Sequence, residues 1–158
     1  MLPALMLIFT LSLEAAQVSI DIHLSPAGDF QAKTKKIKGY ISKKGEKYLS
    51  KKIYLNLNSL TTHNKLRDKH MKSKYFESDK KQNKNAVLSK FVGQNGKFKA
   101  FLEIRKTKVK VLGTYKKKGK QLVAKFKTKL SAYKIKKAKY LGVGVEDEVE
   151  VMASVPLK

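Results

Sequence analysis

Cysteine is absent from this 158-residue chain, which excludes disulfides, thiol nucleophiles and cysteine-ligated metal while leaving the compartment open. Acidic residues are scarce. Asp and Glu number 12 against 36 Lys and Arg, a formal net charge of +24 that draws a protein toward nucleic acid, anionic membrane or an acidic polymer. Arginine is nearly missing too, at Arg67 and Arg105 alone. A surface built to read phosphate forks or base edges recruits the planar guanidinium, so lysine in this excess argues against nucleic acid. His23, His63 and His70 have no metal-ligand spacing, and no Gly-x-Ser-x-Gly elbow, P-loop or Gly-x-Gly-x-x-Gly turn occurs. Gly142-Val143-Gly144 lacks the third glycine and precedes the acidic run Glu146, Asp147, Glu148, which would repel phosphate. Catalysis is therefore disfavoured, and neither catalytic residues nor a metal are assigned.

Long hydrophobic runs are also lacking. The apolar stretch Leu2–Leu13 is shorter than the roughly 20 residues a membrane-spanning helix needs. With Ala15 and Ala16 behind it, it reads as a secretory signal peptide over residues 1–16, with cleavage after Ala15 fitting best and a periplasmic or otherwise exported destination. Glu14 and the absence of a leading Lys or Arg depart from that pattern. No repeat or flexible linker follows, so residues 17–158 form one domain, large enough to close a core unaided.

What the chain does contain is alternation. Val18, Ile20, Ile22 and Leu24 alternate with polar residues until Pro26 and Gly28, and Phe30, Ala32 and Thr34 resume the pattern. Ile37 and Ile41 then fall on the opposite parity, which places a bulge or bend near Lys35 and Lys36. Further strands carry Ile53, Leu55 and Leu57; Ala86 to Val92; Phe98, Ala100, Leu102 and Ile104; Val109 and Val111; Leu122, Ala124 and Phe126; and Val149, Val151 and Ala153. Lys44-Gly45, Asn95-Gly96 and Lys118-Gly119 mark hairpins between them. About eight strands with short turns and one inserted helix indicate an all-β, antiparallel, lipocalin-like barrel. Lys97, Lys99, Lys106, Lys108, Lys110, Lys125, Lys127 and Lys129 alternate with the apolar set and so belong on the exterior, where only Phe101 is aromatic among them. Nucleic acid is an unlikely match for a wall with so few stacking platforms, and attraction to an anionic membrane fits an exported protein better.

The helix lies between Ser59 and Phe76. Thr61, Thr62 and Asn64 can accept from its first amides, and Leu66 with His70, or Arg67 with Met71, share a face four residues apart. This segment resembles the YceI-like family of polyisoprenoid-binding periplasmic proteins, in which a strand ends in Ser-Leu-x-Thr and a short helix carries Arg-Asp-x-His-(Leu/Met)-(Lys/Arg)-Ser before a Phe. Those positions are Ser59, Leu60, Thr62, Arg67, Asp68, His70, Met71, Lys72, Ser73 and Phe76. Leu102-Glu103-Ile104-Arg105 and Asp147-Glu148-Val149 with Val151 match two further family segments. Lys106 stands where the family has glycine, no proline follows Phe76, and Ala132-Tyr133-Lys134-Ile135 lacks the family's turn arginine.

The resemblance implies an isoprenoid, or a similar quinone-like amphiphile, bound without chemical change along the barrel interior. The interior residues so implied are Ile53, Leu55, Leu57, Phe98, Ala100, Leu102, Val109, Val111, Ala124, Phe126, Val149 and Val151. Arg67, Asp68 and His70 are read as structural residues pinning the helix over the barrel. The alternative function is a lysine-rich binding module for nucleic acid or an acidic envelope polymer.

Overall fold

The computed structural model describes residues 16–140 and 142–158, so the leader expected over residues 1–16 lies almost wholly outside the described residues. Twelve strands join one antiparallel sheet that curls into a nearly closed barrel. They are β1 (Gln17–Ser25), β2 (Asp29–Thr34), β3 (Ile37–Lys38), β4 (Ser42–Lys44), β5 (Lys47–Asn56), β6 (Asn85–Gln94), β7 (Lys97–Ile104), β8 (Thr107–Lys118), β9 (Gln121–Lys129), β10 (Lys139–Tyr140), β11 (Val143–Val145) and β12 (Glu148–Pro156). The count exceeds the eight expected. One reason is that β2, β3 and β4 are pieces of a single interrupted run, β2 pairing with β1 while β3 and β4 pair with β5. The break falls at Lys35 and Lys36, where the change of parity places it. The other reason is a small β10–β11 hairpin hung on the end of β1, in a stretch with no alternation to reveal it.

Hairpins carry the rest of the sheet. Asn95 and Gly96 both have positive φ, as a two-residue turn matching the strand twist requires. Arg105 and Lys106 repeat that geometry between Ile104 and Thr107 with no glycine to ease it. Strand β5 stops at Asn56, so Leu57, expected to continue it, lies instead in a single 3-10 turn over Leu57–Ser59 capped by the Asn56 side chain. The inserted helix α1 (Lys65–His70) is capped by Asn64, whose side chain accepts from the Arg67 amide, and it runs on as a wider turn over Met71–Tyr75.

One end of the barrel is filled with rings. Phe91 stacks on Phe98 at 4.8 Å between centroids, Phe126 meets Phe98 edge-on at 6.1 Å, and Tyr115 closes against Phe91 and Tyr48. Glycines make room for them. A Cβ on Gly93 would stand 2.8 Å from the Tyr115 ring, and one on Gly113 would stand 2.6 Å from Phe98 and meet the Lys125 carbonyl. The opposite end carries α1, the Arg105–Lys106 turn, a 3-10 turn at Leu130–Tyr133 and the β10–β11 hairpin.

Candidate functional site

Between the aromatic plug and α1 the barrel holds a cavity of about 630 Å³. That lies within the roughly 300–1,000 Å³ usual for small-molecule sites. Its walls are the inward faces of β1, β2, β5, β6, β7, β9 and β12, supplied by aliphatic residues such as Val18, Ile20, Ile22, Leu88 and Val155. The inward period-2 faces of all these strands converge here because an antiparallel barrel sends alternate side chains to its axis.

Of the residues assigned to the interior from sequence, Ile53, Leu55, Leu57, Leu102, Phe126, Val149 and Val151 line the cavity. Phe98, Ala100, Val111 and Ala124 are buried but not among its lining, and Val109 is half-buried outside it. Alternation tells which face a residue takes and nothing about its height along the barrel axis. Phe98 and Ala124 lie at the plugged end. The alternation of Val18, Ile20, Ile22 and Leu24 marked β1 as a strand, and the same signal would have placed these residues in the lining. No sequence signal foretold Ile135, Lys136, Ala138, Lys139, Val143 and Val145, which fold over the mouth from the segment after β9.

The helix supplies the rest of the mouth. Arg67, His70 and Lys74, three and four residues apart, face the cavity together with Leu66, Met71, Tyr75 and Phe76. The Arg67 guanidinium lies 4.0 Å over the Phe30 ring, joining α1 to β2 by a cation–π contact. Asp68 turns the other way. Its carboxylate accepts from the Thr62 amide at 2.8 Å, the Thr62 hydroxyl at 2.6 Å and the Thr61 hydroxyl at 3.0 Å. Partial burial pushes the Asp68 carboxyl up, but the bonds from Thr62 and Thr61 prevail and hold it below its ordinary value of 3.8. The helix is thus pinned through Arg67 and Asp68, by ring contact and by threonine bonds. Among the described residues no side-chain hydrogen bond holds His70, which lines the cavity.

Arg105 is a second anchor, and nothing in its sequence context marks it as one. Its guanidinium donates to the Tyr75 carbonyl and the Lys134 carbonyl, each at 3.2 Å, and pairs with Glu77 at 2.8 Å. Glu77 is held below 4.5, chiefly by the hydrogen bond and charge of Lys80 and then by Arg105. Asp147 accepts from the Ser131 amide at 2.8 Å and from its hydroxyl, while its own carbonyl takes the Leu130 amide, so it fixes the Leu130–Tyr133 turn. The hydroxyl bond from Ser131 is the main cause holding the Asp147 carboxyl below 3.8. Tyr133, wholly buried beneath, shares a 2.8 Å bond with the Thr128 hydroxyl.

Comparison with known proteins agrees with this architecture. The crystal structure of Burkholderia cenocepacia BcnA matches at a TM-score of 0.69 with 17% identity, over 89% of this chain and 94% of that one. A polyisoprenoid-binding domain from Saccharophagus degradans, implicated in plant cell wall breakdown, matches at 0.61 with 11% identity, over 89% and 91%. A mutant CJ YceI protein carrying a monobromobimane guest matches at 0.52 with 17% identity, over 77% and 80%. No curated protein matches the sequence. Identities this low speak for the fold alone, and the sequence supplies the rest: the profile of the YceI-like domain matches residues 9–157, so this chain belongs to the YceI-like domain family.

Proposed function

We propose that this protein binds one elongated amphiphile, an isoprenoid or a quinone-like lipid, inside the barrel and carries it through the cell envelope without altering it. The observation that carries this reading is the cavity, whose walls are mostly apolar and whose lining reaches Phe126, which packs edge-on against the Phe98 ring. Each buried methylene contributes about 0.8 kcal/mol, so a tail along these walls binds firmly even after its ordering cost. The similar polyisoprenoid-binding domain from Saccharophagus degradans supports the same choice of ligand. A carrier without chemistry fits the mouth as well. His70 and Asp68 do not form an acid–base pair, because the Asp68 carboxylate is occupied by Thr61 and Thr62. Native mass spectrometry of the protein purified from membrane-containing extracts should show a bound lipid. Protein that emerges empty and also fails to take up geranylgeraniol would sink the proposal.

The exterior lysines suggest where the carrier works. Lys97, Lys99, Lys108, Lys110, Lys125, Lys127 and Lys129 are all exposed on the outer face of β7–β9, and Leu112 stands among them 64% exposed, opposite Lys99. A basic wall with a protruding apolar residue suits an anionic membrane surface, where each lysine contributes about 1 kcal/mol near the bilayer. An exported protein that moves lipids would use it to rest on the leaflet.

A further inference from the structure

The side chains that line the cavity include Arg67, His70, Lys74, Lys136 and Lys139, and among the described lining residues is no Asp or Glu. They come from two separate elements. Arg67, His70 and Lys74 occupy one helical face, and Lys136 and Lys139 approach from the segment between β9 and β11. Of the acids near them in sequence, Asp68 is bonded to Thr61 and Thr62, Glu77 to Arg105 and Lys80, and Asp147 to Ser131, while Glu146 lies close enough to His23 to help raise its imidazole pKa. Among the described residues, Lys74, Lys136 and Lys139 pair with no carboxylate, and nothing accepts the Arg67 guanidinium N–H groups.

We infer that the bound amphiphile carries a polyvalent anionic head group, of the phosphate or diphosphate class, held at the mouth by Lys74, Lys136 and Lys139 with Arg67. This inference rests on the lipid-carrier reading and adds the chemistry of the ligand's polar end. A tail filling the apolar walls leaves its head at the rim, beside a low-dielectric interior that strengthens each charge–charge contact. Lysine serves phosphate as a mobile point charge, and three of them with one guanidinium supply more than enough positive charge to neutralise a di- or trivalent anion, where a single carboxylate would leave most of the cations unpaired. The cation–π contact with Phe30 holds the Arg67 guanidinium in place without occupying its N–H donors. A neutral alcohol or a quinone ring gains none of these contacts.

The test compares ligands of one tail. Geranylgeranyl diphosphate, geranylgeraniol and inorganic diphosphate are titrated into the delipidated protein by calorimetry, at low and high salt. The diphosphate lipid should bind about tenfold or more tighter than the alcohol, as charge-assisted hydrogen bonds to the head predict, and added salt should shrink the difference. The triple variant Lys74→Gln, Lys136→Gln, Lys139→Gln should bring the two lipids to within about twofold of each other. A Lys108→Gln, Lys110→Gln, Lys127→Gln variant on the outer wall should keep the preference, which separates the rim from bulk charge. Equal binding of the two lipids overturns the anionic head group while leaving the lipid site standing. Binding of neither lipid removes the carrier reading beneath it. Inorganic diphosphate binding as tightly as its lipid would make free phosphate the ligand and overturn both.

Discussion

At the scale of single residues, left-handed backbone gathers at the mouth. His63, Glu77, Arg105, Lys106 and Lys134 all have φ between 48° and 63° without being glycine. A side chain there costs about 1–2 kcal/mol, and such strain persists only where neighbouring contacts hold it. Arg105 is so held, by Tyr75, Lys134 and Glu77. Lys106, at φ 63° and exposed, has no such side-chain tie among the described residues. Replacing Lys106 with glycine should therefore raise stability by about 0.5–1 kcal/mol, visible as a higher urea midpoint with an unchanged slope. Gly113 behaves in the opposite sense. Alanine there drives a methyl group into the Phe98 ring and the Lys125 carbonyl, and the resulting overpacking should cost about 1–3 kcal/mol or prevent folding, read by thermal melting.

Among elements, the mouth hangs on a few polar fastenings whereas the barrel wall rests on continuous ladders. Arg105→Ala removes three bonds at once and should destabilise by about 2 kcal/mol, with faster amide exchange over residues 71–77 and 130–135 than over β7 to β9. Acid should loosen the same region. Asp68, Glu77 and Asp147 all titrate below their ordinary values, so each contributes stability above its unfolded pKa, and that contribution is lost as pH falls through the lower folded one. Amide exchange at residues 61–77 and 130–147 should then rise below about pH 4, before the sheet unfolds. Uniform loss of protection across the sheet would refute separate fastening. The strands were legible in sequence because one wet face imposes period 2, as in β7 with Phe98, Ala100, Leu102 and Ile104. The helix was legible through Asn64 and its spacing. The fastenings were not, because Arg105 reaches residues about 30 positions away in the chain and Asp147 reaches Ser131, and no local period encodes such contacts. The division of the interior into cavity and plug was hidden for a related reason, since it depends on register between strands.

For the whole molecule, the cationic wall of β7–β9 and the interior cavity are separate in space, so the functions proposed for them should separate by mutation. Reversal of Lys108, Lys110, Lys125 and Lys127 to Glu should abolish sedimentation with phosphatidylglycerol vesicles at low salt yet leave the occupancy of lipid inside the barrel intact. Loss of the internal lipid in a folded variant would show that the wall, rather than the mouth, governs retention. Leu112→Ser should weaken vesicle binding without removing its salt dependence. The ring plug has a consequence of another kind. A tube shut at one end measures what enters it, since a tail shorter than the tube leaves void and a longer one must leave methylenes in water. Affinity should therefore climb with each added prenyl unit until the tail reaches Phe126 beneath the plug, and then stop climbing. The protein would act as a ruler for chain length, with its zero at the rim and its stop at the Phe91–Phe98 stack.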